Sequence, residues 1–298
     1  MTPLLLAVLA VLFAGPVPAV LARLPWVRRT PVAALVLWQS VAAAAVLAAL
    51  GAGLALVTHH AWRRAPDPVA WTVAVIALGV TLLVVARLLL SAHRVGTSLR
   101  AIRRRHRAQL DVISRAGRTG GRIRFIEHEV PVAYCIPGFG GQRIVVSEGA
   151  RGVLTPDELD AVLEHERAHL RARHDLVLEA FSALREAFPR WVSSDAALRE
   201  VRLLVEVLAD RVAVRAAGRQ ALGRALVQLA EGRAPEAALG AGGNDTALGG
   251  GGLLTRVELL ADPRPRRVQA ALLSALAVGV LVLPTAFVVV PWLTALRP

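Results

Sequence analysis

The chain has 298 residues, and 55% of them are hydrophobic, a share that soluble domains rarely reach and that points to an integral membrane protein. Its single cysteine, Cys135, excludes an intramolecular disulfide. All 35 basic residues are arginine, a bias typical of a GC-rich bacterium. In a membrane protein, the net charge of +13 favours arginines that set the topology over a nucleic-acid-binding surface.

Four apolar segments are long enough to cross a bilayer, which requires about 20 apolar residues in helical form. The sequence GPVP interrupts the first of them. We therefore expect three transmembrane helices in residues 1–92 and a fourth in residues 268–298. The four segments are approximately Pro3–Ala22, Pro31–Val57, Val69–Leu90 and Val268–Leu296.

The distribution of arginine predicts the orientation of these segments. Between Arg94 and Arg124 there are ten arginines and one acidic residue, Asp111. Cytoplasmic loops of membrane proteins carry such an excess of basic residues. The sequence therefore predicts a multi-pass protein of the bacterial inner (plasma) membrane, with an external N-terminus and residues 93–267 in the cytoplasm.

Residues 93–267 are enough for one domain, and its elements follow in chain order. The stretch RIRFIEHEVPVAYCIPGFGGQRIVVSEGA has β-branched clusters broken by Gly and Pro, which predicts a small sheet. A helix should begin after Thr155, because Pro156 and Glu158 complete a capping box with it. Further predicted helices cover Leu176–Phe188, Asp195–Gly218 and residues 219–232, and residues 240–252 predict a flexible glycine-rich linker.

The capped helix carries the sequence HERAH. His165 and His169 are about one helical turn apart, so both imidazoles can reach one metal ion. Glu166 lies beside that point, where it could take a proton from an attacking water molecule. The alternative is a solvated helix face that happens to be rich in His, Glu and Arg.

A catalytic zinc site needs a third protein ligand. His174 is excluded by helix geometry, because it lies nine residues from His165 and therefore about half a turn away around the helix. The later sequence EVLAD places Glu206 and Asp210 on one face of an apolar helix, where carboxylates are costly to bury without partners. One could bind the metal and the other could accept an imidazole N–H. Alternatively, both pair with Arg202 or Arg211 at the surface.

The sequences HERAH and EVLAD, separated by 36 residues, resemble the gluzincin pattern H-E-x-x-H…E-x-x-x-D. The stretch from PVAYCIPGF to HERAH is similar to two related families of membrane zinc peptidases. One contains the HtpX and CAAX-prenyl-protease type, and the other contains the BlaR/MecR type of β-lactam sensor-transducer. The order of three spans, a peptidase domain and a fourth span resembles the second family more, as does FPRW between the two motifs.

The resemblance implies an α-helical integral membrane protein with an α+β, gluzincin-like catalytic domain inserted between spans three and four. It implies that His165, His169 and Glu206 hold one zinc ion. Glu166 would be the general base, and Asp210 would orient His165. The sequence GQRIVVS would be an edge strand that pairs with an extended substrate.

The implied function is that of a membrane-embedded zinc endopeptidase acting on a protein or peptide substrate. In regulated signalling, it would cleave a cytosolic transcriptional repressor or itself. We expect contact with the lipid bilayer and no direct binding of nucleic acid. Quality control of membrane proteins, as in the HtpX type, and a non-catalytic membrane scaffold are the alternatives. The HtpX type has a His-Pro before a late arginine, but Arg256 has no such histidine, so the transition-state stabiliser has no assigned residue.

Overall fold

The computed structural model describes most of the chain and is mainly helical. The described residues are 2–61, 68–116, 122–138, 141–188, 195–230, 249–262, 264 and 266–295. They form two compact units. The first unit consists of Met1–Ala92, Ala183–Ala197 and Arg266–Pro298, and the second of His93–Ser182 and Leu198–Pro265.

The first unit contains the apolar helices. The predicted interruption of the first segment is confirmed, because Gly15 separates two helices where GPVP was expected to break the run. A short 3₁₀ helix, Pro25–Arg29, follows. The α-helices are α1 (Thr2–Ala14), α2 (Pro16–Leu21), α3 (Pro31–Ala61), the apolar first half of α4 (Pro68–Ile113), and α11 (Arg267–Ala295).

Within the described residues, four helical segments are long and apolar enough to cross a membrane, as befits a membrane protein. Helix α3 packs against both α1 and α11, and its inward face includes the fully buried Leu37 and Trp38. Many large apolar side chains on the other faces remain exposed, which suits contact with lipid. The four segments are Thr2–Leu21, Pro31–Thr58, Pro68–Ile113 and Arg267–Val290.

The predicted sheet forms in the second unit, and within the described residues it has four strands. They are β1 (Arg115–Ala116), β2 (Ile123–Ile126), β3 (Ala133–Ile136) and β4 (Arg143–Ser147), in the spatial order β1-β2-β4-β3. Strand β4 pairs in parallel with β2 on one side and antiparallel with β3 on the other. The prediction that GQRIVVS is an edge strand is therefore wrong, because its strand is internal and β3 lies at the edge.

Both faces of the sheet are covered, which explains the continuous apolar run in β4. Side chains alternate between the faces of a strand. Ile144 and Val146 accordingly pack in the cluster that includes Val162 and Leu163. Val145 points the other way and packs with Leu110, near the end of α4. The sheet is thus fixed between two helices.

The remaining helices of the second unit surround the sheet and each other. Helix α6 packs on β3, β4 and α9, and a small core of Ala161, Ala213 and Leu222 joins α6, α8 and α9. The predicted break at Pro189 and most of the glycine-rich segment lie outside the described residues. The last four glycines of that segment open a helix instead of a linker. The helices are α5 (Glu148–Val153), α6 (Pro156–Ala172), α7 (His174–Ala187), α8 (Asp195–Ala217), α9 (Arg219–Gln228) and α10 (Gly249–Ala261).

Candidate metal centre

Helix α6 positions the two histidines, and its predicted start is confirmed. The side chain of Thr155 accepts from the backbone N–H of Glu158, and the Glu158 carboxylate accepts from the backbone N–H of Thr155. From this fixed start, one helical turn places His165 and His169 on the same buried face. Their Nε2 atoms lie 3.1 Å apart.

Helix α8 brings a carboxylate to the same point. Glu206 Oε2 lies 3.4 Å from Nε2 of His165, and Glu206 Oε1 lies 3.4 Å from Nε2 of His169. One ligand atom from each of the three residues can be chosen so that all lie within 4.8 Å of one another. Among the described residues, this is the one group of at least three His, Cys, Asp or Glu side chains that could hold a metal ion.

The separations within this group fit a zinc ion. Two atoms that each bind zinc at about 2.0–2.1 Å in tetrahedral geometry are roughly 3.3 Å apart. The three contacts among His165, His169 and Glu206, at 3.1, 3.4 and 3.4 Å, are close to that value, with each imidazole facing a different oxygen of Glu206. Two imidazoles and one carboxylate are also a ligand set found in catalytic zinc sites, where a fourth position stays open.

Asp210 lies behind His165 and is paired with an arginine. Its Oδ1 is 3.0 Å from Nδ1 of His165, although the ring N–H is not aligned well enough for a regular hydrogen bond. Arg256 donates from Nε and from Nη2 to the two carboxylate oxygens, at 2.8 and 2.7 Å. Asp210 is only 1% exposed, so the alternative of a surface ion pair is wrong for this residue. Arg256 also reaches Glu206 Oε2 at 3.2 Å.

The electrostatics of the cluster favour positive charge between the imidazoles of α6 and the carboxylates of α8. Burial lowers the pKa of His165, but Asp210 and Glu206 outweigh it and raise that pKa to about 10. The position beside His165 therefore attracts positive charge. Burial lowers the pKa of His169 to about 3, so its ring is neutral and has a lone pair available for a metal.

The two carboxylates stay ionised despite their surroundings. Burial raises the pKa of Asp210, but the charge and hydrogen bonds of Arg256 outweigh it, and the pKa is lowered. For Glu206, burial also raises the pKa, but the charge of Arg256 and the hydrogen bond and charge of His165 shift that pKa below its usual value. The arginine thus keeps both acids of α8 charged in a buried setting.

Glu166 lies on α6 next to the first histidine, and it is buried. Burial raises its pKa, an effect that the charge of His165 partly offsets. Its carboxylate interacts with the Cys135 thiol of the edge strand β3, and burial raises the pKa of that thiol well above its ordinary value. Cys135 therefore behaves as a protonated, fully buried group beside the carboxylate.

Two residues near the cluster were not assigned from the sequence. The sequence indicates Arg256 only as a late arginine. Its position within the apolar run LLTRVELL is the signal that could have assigned it, because a buried arginine needs an acidic partner and Asp210 needs a basic one. His174 had been placed half a turn away on a continuing helix. Helix α6 instead ends at Ala172, and His174 Nδ1 lies 3.0 Å from His169 Nδ1. Tyr134 contacts His106 rather than the cluster.

Comparison with known protein families agrees with this geometry. Residues 100–200, about a third of the chain, match peptidase family M48. The matched segment includes HERAH and ends before Glu206. No curated protein and no solved structure matches the chain. The match indicates a metallopeptidase, and together with the apolar helices it supports one of the membrane type.

Proposed function

We propose that the protein is a membrane-embedded, zinc-dependent endopeptidase whose metal is held by His165, His169 and Glu206. The observation that carries the proposal is the set of separations among their ligand atoms, 3.1, 3.4 and 3.4 Å. The two histidines also lie within the segment that matches a peptidase family. Catalytic zinc sites use three protein ligands of this kind.

The chemistry that zinc supplies when bound is that of a Lewis acid, which polarises the substrate carbonyl and makes a water molecule more acidic. Glu166 accepts the proton of the attacking water and returns it to the leaving amine. Its buried position raises its pKa, and a stronger base suits this exchange. Asp210 and Arg256 hold the ring of His165 and the carboxylate of Glu206 in place.

An extended substrate would pair with β3 rather than with β4. Among the described strands, β3 is at the edge of the sheet, and its Cys135 reaches the proposed base, Glu166. Backbone pairing with the edge of a sheet is a common way to bind a peptide in extended form, and here it requires the edge of β3 to open, because Cys135 and Ile136 are fully buried. Such a substrate would run along β3 with its scissile bond beside Glu166.

Metal content and peptide cleavage, measured on the same purified protein, test the proposal. Wild type should contain about one zinc ion per chain and cleave an unfolded protein substrate, and a chelator should abolish both. His165→Ala and Glu206→Ala should lose most of the zinc. Glu166→Gln should keep the zinc and lose activity by about 10²–10⁴-fold, because a general base contributes that much.

Three outcomes count against the proposal. Full zinc content in Glu206→Ala would show that the third ligand lies elsewhere. Unchanged cleavage by Glu166→Gln would show that another group acts as the base. Zinc bound at the cluster without cleavage of any substrate tested would favour the non-catalytic scaffold instead.

For the site's location, we propose the cytoplasmic side of a bacterial inner membrane. The support is the excess of arginine between Arg94 and Arg124. Reporter fusions after residue 64 should then read external, and fusions after residue 120 should read internal. The opposite pattern would remove cytosolic proteins from the candidate substrates.

The proposed biological role is regulated signalling through cleavage of a cytosolic transcriptional repressor or of the protein itself. Its support is the predicted order of three spans, a peptidase domain and a fourth span, which resembles the sensor-transducers. Quality control of membrane proteins is the second candidate, favoured by the match to family M48. A small winged-helix repressor encoded beside the gene would support signalling, whereas broad cleavage of misfolded membrane proteins would support quality control.

A further inference from the structure

A sharp turn at the end of α6 brings a third histidine to the cluster. Arg173 adopts the left-handed conformation, with φ 51° and ψ 44°, and ends α6, and α7 begins at the next residue. After this turn, the ring of His174 lies against the ring of His169. The two rings meet edge to face, with centroids 4.9 Å apart, and His174 is only 4% exposed.

The contact between these rings determines where one proton must lie. Nδ1 of His174 is 3.0 Å from Nδ1 of His169, so one of the two atoms donates and the other accepts. His169 faces the cluster with Nε2, which lies 3.1 Å from Nε2 of His165 and 3.4 Å from Glu206. A ligating Nε2 carries no proton, so a neutral His169 has its proton on Nδ1 and donates it to His174.

The accepting ring is held by charges next to it in sequence. The Asp175 carboxylate binds Arg173 at 3.1 and 3.2 Å and lies 3.7 Å from Arg103 of α4. Arg103 is itself buried and also donates to Glu179 at 2.5 Å. Asp175 is only 2% exposed. These ion pairs fix the first turn of α7, so the position of His174 does not depend on the metal.

We propose that His174 is a positioning residue. Its Nδ1 accepts a hydrogen bond from the Nδ1–H of His169 and thereby fixes the tautomer and the ring orientation of that ligand. The inference rests on the proposed role of His169 in binding the metal. The two ligands of α6 then have different partners behind them: Asp210, a carboxylate, stands behind His165, and His174, an imidazole, stands behind His169. Acceptors of this kind orient the ligand and tune its basicity.

The test compares two replacements of His174 in the full-length protein purified in detergent. His174→Phe keeps a ring of similar size against His169 but removes the acceptor. His174→Asn loses the ring but places an amide oxygen as many bonds from the backbone as Nδ1 of histidine. We expect zinc affinity, measured by chelator competition, to fall by about 10–100-fold in the Phe variant. The Asn variant should remain close to wild type.

Two further readouts separate positioning from a general loss of structure. The visible spectrum of the cobalt-substituted protein should change in His174→Phe and return towards that of wild type in His174→Asn. The matched control is His106→Phe. It removes the hydrogen bond between His106 and Tyr134, which lie in the same unit. That variant should bind zinc as wild type does. If His174→Phe does not fold, His174→Ala compared with His174→Asn gives the same contrast.

The inference is overturned if His174→Phe binds zinc as tightly as wild type, or if His174→Asn binds it as weakly as the Phe variant. It is also overturned if His106→Phe loses zinc to the same degree, because the effect would then not be specific. Failure of the proposed function has a different signature: wild type would hold no zinc, or His165→Ala would keep it.

Discussion

Helices α6 and α8 supply the same cluster but are fixed in different ways. In α6, His165 and His169 lie one turn apart on a helix whose start is set by a capping box within its own first turn. In α8, Glu206 and Asp210 are also one turn apart, but their carboxylates are held by Arg256, which follows Asp210 by 46 residues. One half of the site therefore follows from local rules, whereas the other depends on a buried ion pair between distant parts of the chain.

The largest effect should come from removing the distant partner of α8. Arg256→Leu leaves the carboxylate of Asp210, which is 1% exposed, without its two hydrogen bonds. Removing one member of a buried ion pair typically costs about 3–5 kcal/mol of stability. Thermal unfolding in detergent should show a clear loss, whereas Arg171→Leu, an exposed arginine of α6, should not. Equal melting temperatures in the two variants would contradict a dependence of α8 on this pair.

The double variant Asp210→Leu/Arg256→Leu shows whether the loss comes from the unpaired charge. Replacing both members of a buried pair with apolar residues is often neutral for stability. The double variant should therefore be more stable than Arg256→Leu and yet bind zinc weakly, because His165 has lost its acceptor. If it is less stable than Arg256→Leu, packing around these side chains matters more than the charge.

These two helices also differ in how well the sequence predicted them. The capping residues and the spacing of HERAH predicted the start of α6 and the shared face of its histidines, because helix geometry and capping act within a few residues. For α8 the sequence indicated that two buried acids need partners, but it did not show that Arg256 is one of them. A pairing across 46 residues depends on the tertiary fold, which local patterns do not encode.

Two other features needed the structure for similar reasons. A left-handed Arg173 ends α6, whereas glycine is the residue usually found in that conformation, so nothing in the sequence indicated the turn to His174. The order of strands places β4 inside the sheet, and strand order is set by tertiary packing rather than by the apolar run of that strand. The four apolar segments, by contrast, were predicted as helices from length and composition alone.

A smaller effect is expected when Asp210 keeps its shape but loses its charge. Asp210→Asn retains an acceptor oxygen 3.0 Å from the native position of His165 Nδ1, but it no longer neutralises Arg256. Zinc affinity should fall by about 10–100-fold, as is typical when a partner of a metal ligand is changed. A chelator titration measures this, and Asp210→Ala should release zinc more readily still. Identical release from wild type and both variants would mean that Asp210 does not orient His165.

A change in the capping box of α6 should affect stability more than metal binding. Thr155→Ala removes the side-chain oxygen that accepts from the backbone N–H of Glu158. Loss of such a cap costs about 0.5–2 kcal/mol. The melting temperature should drop modestly, while zinc affinity stays near that of wild type, because His165 and His169 lie in later turns of the helix. A loss of zinc as large as in Asp210→Asn would show that the cap also sets the ligand geometry.

The smallest effect should come from an acidic residue that is next to a metal ligand in sequence but whose carboxylate binds other side chains. Glu164 directly precedes His165, yet its carboxylate binds Arg167 at 2.7 Å and Arg171 at 3.0 Å on the solvent side of α6. The side chain of Arg171 is 59% exposed, and surface pairs of this kind contribute only about 0–1 kcal/mol. Glu164→Gln should therefore melt and bind zinc almost as wild type does. Asp210 is far from His165 in sequence, yet its loss should weaken zinc binding, because its carboxylate contacts the ring of His165 on the buried face of α6. Weak zinc binding in Glu164→Gln would mean that overall negative charge near α6, rather than the particular contact of Asp210 with His165, sets the affinity of the site.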